Sequence, residues 1–269
     1  MKLSLGFSTC PNDTFIFDAL VHGKVDTEDL EFEVVMEDIL HLNKRALKEE
    51  LDVIKVSYNA YGHVRNQYSL LRSGSAMGKG CGPLLIAAEP MTIEDLRAKD
   101  PRIAIPGVNT TANLLLSFFA PDLTTREEML FHEVMAAVAM KENHAGVIIH
   151  ENRFTYQDRG LHCVQDLGEY WETQTGLPIP LGAICAHSRL GEETIAKIDR
   201  VLRRSIEFAF ANPESSKPFI KLYAQELSDE VTQAHIDLYV NEFSIDMGTQ
   251  GEEAVQKLLS VGEAMGLYF

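Results

Sequence analysis

Apolar and polar positions alternate at the start of the chain. Leu3, Leu5 and Phe7 fall on every second residue, and Phe32, Val34 and Met36 repeat the pattern. This period predicts two strands. Thr14 to His22 and Ile39 to Leu51 read as helices, and Val53-Ile54-Lys55-Val56 as a third strand. Strand and helix alternating at this spacing predict parallel βαβ units. Tyr68 to Leu71 adds a further candidate strand, and Leu84 to Ala88 is a short apolar run of the buried-strand kind. A second series comes next, with strands at Arg102 to Ile105, Ala145 to Ile149 and His162 to Val164 and a helix from Thr110. Pro178-Ile179-Pro180 interrupts the pattern, and Leu181 to Ala186 is another buried strand. From Gly191 onward the chain reads as helical. Ile195, Ile198, Leu202, Ile206 and Ala209 share one helix face, as do Val255, Leu258, Leu259 and Met265.

Two βαβ blocks, each bounded by an apolar strand, predict an α/β protein with two lobes. Residues 1–85 and 186–269 form lobe one, discontinuous in sequence, and residues 86–185 form lobe two. The C-terminal helices are expected on lobe one.

Length and composition fit this reading. The chain has 269 residues, enough for two lobes of ordinary size, with 45% hydrophobic and 24% charged residues. No apolar run reaches the roughly 18–20 residues that a membrane helix needs. The formal net charge of −16 repels phosphate backbones and argues against nucleic-acid binding. The start, Met1 to Phe7, turns polar too soon for a signal-peptide core. Cys10, Cys81, Cys163 and Cys185 lie far apart with no Cys-x-x-Cys pair, as reduced thiols do. A cytoplasmic protein with no membrane partner is expected. Oligomeric state is not legible.

Several motifs fail on spacing. Gly74-x-x-x-Gly78-Lys79 has one residue too few for a phosphate loop, and Gly80 stands where Ser or Thr is needed. The glycine-rich stretch Ser73 to Pro83 reads instead as a hinge or a closing loop. His132-Glu133 opens like a zinc-protease helix, but Ala136 replaces the second histidine. Ser8 lacks the final glycine of a nucleophile elbow, and no Gly-x-Gly-x-x-Gly comes after a strand. Neither a metal nor an organic cofactor is expected.

Polar groups cluster at the carboxyl ends of the strands, where open α/β sheets bind ligands. Ser8 to Thr14 comes after the first strand, and Asn12 or Asp13 there also suits a helix cap. Lys55-Val56-Ser57-Tyr58 closes the third strand. Pro106 to Thr111 opens a helix whose core face carries Leu114, Leu115 and Phe118; free N–H groups and two hydroxyls make that start either an anion cradle or a plain cap. Gly146 to Ile149 delivers His150 to a strand tip, with Glu151, Asn152 and Arg153 directly after it.

Taken together these segments resemble the 1,4-dihydroxy-6-naphthoate synthase family. The matching residues are Cys10-Pro11-Asn12-Asp13-Thr14-Phe15-Ile16-Phe17, Lys55 to Tyr58, Thr110-Thr111, Ile148 through Tyr156, Gly176 to Ile184 and Gln225 to Val231. The resemblance spans nearly the whole chain; Thr9 departs from the proline expected there. It implies a two-lobed periplasmic-binding-protein-like (type II) fold with a central cleft, and cleavage of cyclic dehypoxanthinylfutalosine to 1,4-dihydroxy-6-naphthoate and dihydroxyacetone in the futalosine route to menaquinone. The family's base falls on His150, and its substrate-binding segments on Lys55, Val56 and Ser57 and on Thr110 and Thr111. Asn12 and Arg153 complete the candidate site. Chorismate dehydratase of the same pathway and a non-catalytic solute-binding module share the fold and remain alternatives.

The chemistry suits these residues. Carbon–carbon cleavage beside a carbonyl needs a base and donors for developing enolate charge. Histidine, with an ordinary pKa of about 6.5, is a base for neutral pH. The substrate is an aromatic carboxylate, for which a helix N-terminus offsets the unfavourable net charge. Tyr58, Phe154, Tyr156 and Trp171 are the rings available to face it or to fill the core. His144 is expected on the same strand as His150, at its far end, and Glu151 is expected to point away from His150 by strand alternation. The remaining histidines, His235 among them, read as surface or satisfied core residues.

Overall fold

The computed structural model describes residues 1–224 and 227–268. Gln225 and Glu226, part of the last family-like segment, lie outside the described residues. The chain divides into two compact units, Met1–Gly78 with Pro180–Phe269, and Lys79–Ile179. The sequence-derived limits at 85 and 186 therefore cut through strands rather than fall between them.

The first unit begins β1 (Lys2–Phe7), α1 (Pro11–Val21), β2 (Glu31–Met36), α2 (Ile39–Ala46), β3 (Val53–Ser57), α3 (Tyr58–Val64), β4 (Tyr68–Leu70) and β5 (Ala76–Gly78). The second contains β6 (Leu84–Ala87), α4 (Ile93–Arg97), β7 (Ile103–Ile105), α5 (Thr111–Phe119), β8 (Arg126–Glu128), α6 (Phe131–Ala139), β9 (Ala145–Ile148), α7 (Asn152–Thr155), β10 (His162–Asp166) and α8 (Leu167–Thr175). The chain returns to the first unit with β11 (Ile179–His187), α9 (Glu192–Ala211), α10 (Pro213–Tyr223), α11 (Asp229–Tyr239), α12 (Glu242–Ile245) and α13 (Gly248–Ala264). No helix among the described residues is long and apolar enough to cross a membrane.

The sheet of the first unit runs β2-β1-β3-β11-β4, with β5 on β11. β1 is parallel to β2 and β3, as the βαβ reading expects. β11 is antiparallel to both β3 and β4. The sheet is thus mixed. Its core joins Leu3, Leu5 and Phe7 of β1 to Phe15, Ile16 and Phe17 of α1 and to Val201, Leu202 and Ile206 of α9. Phe7 and Phe17 stack with centroids 4.4 Å apart. α1 is enclosed over nearly its whole length and packs on α9, α10 and α11. Pro11 starts it at the position where the missing N–H costs nothing. Ser205 on α9 accepts from the Leu20 N–H at 3.0 Å and donates to the Ile16 carbonyl at 2.6 Å, which satisfies this dry helix contact.

The first half of the glycine-rich segment joins the sheet and is not a closing loop. Ser73 to Gly78 is buried and ends in β5. Gly74 has φ +84°, donates to the Ser244 carbonyl at 2.7 Å, and lies so close to Ile184 that a Cβ would stand 2.5 Å from Cγ1. These glycines serve close packing and a left-handed backbone.

The sheet of the second unit runs β10-β6-β9-β7-β8. β7 is parallel to β8 and β9, whereas β6 is antiparallel to β9 and β10. Its core gathers Leu84, Ile86, Ala104, Val134, Met135, Val138 and Ile148. α6 can lie flat on β9 because Gly146 has no side chain. A Cβ there would stand 2.6 Å from Val134 Cγ1 and 2.8 Å from Val138 Cγ2, both on stiff β-branched side chains. Gly146→Ala should therefore lower stability by about 1–3 kcal/mol, the usual cost of overpacking. Denaturant unfolding checks this, and Val138→Ala in the same background should recover part of the loss.

Candidate active site

In the first unit the site is built from charge. Lys55, in the middle of β3, and Asp13, in the first turn of α1, form an ion pair of 2.7 Å with side chains only 6% and 1% exposed. Burying two charges is tolerable only when both are paired and their remaining hydrogen-bonding capacity is used. Asp13 meets that condition. One oxygen accepts from Lys55 Nζ at 2.7 Å and Asn12 Nδ2 at 2.9 Å; the other accepts from the Ser8 N–H at 3.0 Å and the Ser8 hydroxyl at 2.7 Å. Four donors occupy the whole acceptor capacity of a carboxylate, so Asp13 is an anchor. The helix-cap reading of this segment fails in detail: the residue at the cap of α1 is Cys10, and its side chain makes no capping bond.

Gly182 makes room for the pair. It sits opposite Ser57 on β11, and a Cβ there would stand 2.7 Å from Lys55 Cε. Strand alternation puts Lys55 and Ser57 on one face, and Val56, fully buried, on the other. Val56 thus spaces its neighbours and offers no side chain to a ligand. Ser57 is held from both sides by Asn43, whose Oδ1 accepts from the Ser57 N–H at 2.9 Å and whose Nδ2 donates to the Ser57 hydroxyl at 3.0 Å. His235 of α11, also fully buried, stands with Nε2 2.9 Å from Asn12 Oδ1. Of the residues in this cluster, the sequence singles out Asn12, Lys55 and Ser57 as candidates; the structure adds Asp13, Asn43 and His235 as their hydrogen-bonding partners.

In the second unit Thr110 and Thr111 are both buried at the start of α5. Thr110 is its N-cap: the hydroxyl accepts from the Asn113 N–H at 3.3 Å and donates to the Gly107 carbonyl at 2.7 Å. Thr111 is the first residue of the helix.

His150 lies two residues beyond the end of β9, not on the strand, and adopts φ +57°. Strand alternation therefore says nothing about Glu151, which sits in the same turn. Left-handed backbone is uncommon outside glycine. The other such non-glycine residues among those described are Glu28, Asp29, Glu49, Asp100 and Lys141. His150 is the one with a ring, half-buried, its centroid 5.0 Å from that of Phe131. Its carbonyl accepts from the Arg153 N–H at 3.3 Å, and Asn152 Nδ2 donates to the Phe131 carbonyl at 3.1 Å. The turn is thus tied to both flanking helices. Arg153 donates to the Gly82 carbonyl at 2.7 Å and pairs with Asp166 at 2.6 Å. His144 is exposed and precedes β9; its Nδ1 accepts from the Arg102 N–H at 3.1 Å.

Two of the four candidate rings prove to be core. Tyr58 and Trp171 are fully buried, with the Tyr58 hydroxyl 2.8 Å from that of Ser75 and the Trp171 N–H donating to the Pro178 carbonyl at 3.1 Å. Phe154 and Tyr156 remain partly exposed. Thiol chemistry is not available from Cys81 or Cys185. Burial pushes Cys81 up to about 12 and raises Cys185 far above its ordinary range, so both stay protonated at neutral pH.

Mixed sheets with polar clusters at strand ends define the class. The chain has the periplasmic-binding-protein fold: the alkanesulfonate-binding protein of Xanthomonas axonopodis pv. citri superposes with a TM-score of 0.72 at 14% identity, over 99% of this chain and 93% of that one. A crystal structure of a protein from Archaeoglobus fulgidus is far more similar, with a TM-score of 0.92 at 37% identity over 99% and 98% of the two chains. The chain belongs to the menaquinone-biosynthesis family, whose model matches residues 3–264, and is an enzyme of that pathway. A Thermus thermophilus relative named 1,4-dihydroxy-6-naphthoate synthase is 49% identical over 98% of this chain and 95% of its own length.

Removing one partner of a buried ion pair costs about 3–5 kcal/mol, whereas replacing both by apolar groups is often neutral. Asp13→Asn should accordingly destabilise the protein by that amount. Asp13→Asn with Lys55→Met leaves no unpaired charge and should recover part of the loss in thermal melting, the new amide N–H groups still facing donors of Ser8 and Asn12, and should still bind ligand poorly.

Proposed function

We propose that the chain is a 1,4-dihydroxy-6-naphthoate synthase that cleaves cyclic dehypoxanthinylfutalosine to 1,4-dihydroxy-6-naphthoate and dihydroxyacetone, with His150 as the base. The observation that carries the reading is the half-buried imidazole of His150, held in a left-handed turn inside the segment shared with the synthase family. Backbone strain of this kind costs about 1–3 kcal/mol and gathers at functional positions. The near full-length relative of that name supports the same reaction.

The neutral imidazole removes the proton that starts fragmentation, and hydrogen-bond donors stabilise the enolate charge that then develops. Thr110 and Thr111, with the N–H groups at the start of α5, receive the substrate carboxylate; the helix end supplies local positive potential where the net charge of −16 does not. Lys55 is already neutralised by Asp13. Its remaining N–H donors, with Asn12 and Ser57, suit the hydroxyl groups of the sugar-derived part. Arg153, bonded to Gly82 and Asp166, steadies the His150 turn.

Incubation of the purified protein with cyclic dehypoxanthinylfutalosine should give the naphthoate chromophore and an equal amount of dihydroxyacetone. Binding without either product would leave a solute-binding module instead. One neutral hydrogen bond contributes about 0.5–1.5 kcal/mol, so Thr111→Val should raise KM roughly 2- to 10-fold. Thr110→Val should in addition lower stability by about 0.5–2 kcal/mol through the lost cap. An unchanged KM in both variants would reduce the pair to helix capping.

A further inference from the structure

His235 has no part in the reaction as proposed, yet it is one of the most deeply buried polar side chains of the first unit. It approaches the site from α11, 223 positions along the chain from its partner Asn12. The sense of that contact is set by the far end of the network. Asp13 is acceptor-only, so Asn12 must turn its NH2 group toward it, as the 2.9 Å contact from Nδ2 records. The carbonyl of Asn12 then faces α11. The His235 nitrogen 2.9 Å from that carbonyl oxygen must carry a hydrogen, which fixes the ring as a donor through Nε2. Lys55, Asp13, Asn12 and His235 thus form one chain in which the direction of each contact is assigned. A flip of the Asn12 amide would set its carbonyl against a carboxylate, a repulsive contact in a dry site.

We infer that His235 is a positioning residue for substrate binding. Its Nε2–H locks the amide of Asn12, and through it the Asp13–Lys55 pair whose ammonium meets the substrate. This rests on the reading of the Asn12, Lys55 and Ser57 cluster as a substrate subsite. Glutamine carries a side-chain N–H at about the reach of Nε2; leucine fills similar space with no donor.

The test is steady-state kinetics of naphthoate formation by the wild type, His235→Gln, His235→Leu, Asn12→Ala and the double variant Asn12→Ala with His235→Leu. Folding is verified by circular dichroism at the assay temperature. His235→Leu should raise KM roughly 2- to 10-fold, the range of one neutral hydrogen bond, with kcat within about twofold. His235→Gln should restore the wild-type KM. In the Asn12→Ala background, His235→Leu should add less than about a further twofold, because the two act as one unit. An unchanged KM for His235→Leu, glutamine performing no better than leucine, or full additivity would each overturn the inference. If leucine does not fold, His235→Asn replaces it, its amide being too short to reach Asn12. A wild type that forms no naphthoate would sink the synthase reading, and the inference is then read from the nuclear magnetic resonance signal of the Asn12 side-chain amide. That signal should shift in His235→Leu and stay in His235→Gln; no shift in the leucine variant would overturn it.

Discussion

An ammonium and a carboxylate placed out of contact with water impose the strictest condition in this molecule. Lys55 and Asp13 are together nearly inaccessible, and charges so enclosed are tolerated only as a pair, with the carboxylate fully hydrogen-bonded. That condition dictates much of the first unit. Ser8 must directly follow β1 so that its N–H and hydroxyl reach Asp13. Asn12 must lie in the first turn of α1, where Pro11 starts the helix. β11 must carry glycine at 182, since any Cβ would strike the lysine stem. α11 must bring His235 to the other side of Asn12. Residues from β1, α1, β3, β11 and α11 are thereby tied into one polar body inside an apolar core.

The second unit solves a different problem. The apolar strand β9 is buried throughout, and α6 settles on it over Gly146. Beyond its end the chain makes a short, constrained turn. His150 takes a left-handed backbone, Arg153 binds the carbonyl behind it, and Asp166 and Gly82 hold Arg153. A residue on such a turn has few alternative backbone settings, which suits the proton abstraction proposed for His150. The strongly acidic surface does not oppose this arrangement at short range, because charges beyond about 8 Å are screened at physiological salt.

Much of the fold was legible in the order of apolar residues. β1 and β2 show a period of two, β6, β9 and β11 are continuous apolar runs, and α9 keeps an unbroken i+3/i+4 face. β8 was not legible, since Arg126-Glu127-Glu128 has no apolar residue and owes its conformation to pairing with β7. β5 was hidden by its glycine-rich setting. The antiparallel setting of β6 and β11 was not legible, because periodicity reports which face is buried and carries no sign of direction. At the site, His150, Asn12, Lys55, Ser57, Thr110 and Thr111 stand out in motifs, whereas the left-handed turn under His150 leaves no local mark. Asp13 was visible but read as a cap, since its lysine lies 42 residues away. His235 sits in an ordinary amphipathic helix and gains meaning only from a contact that the sequence does not announce.

The central claim is that His150 performs the proton transfer and is not a structural residue of the turn. Asparagine tolerates the left-handed backbone that His150 adopts and removes the base, so single-turnover rates of His150→Asn, measured beside substrate affinity and melting temperature, test the claim most directly. General-base catalysis contributes about 10²- to 10⁴-fold, and the account predicts a rate lower by that factor with affinity and melting close to wild type. A folded, substrate-binding His150→Asn enzyme that keeps more than about a tenth of the wild-type rate would contradict it.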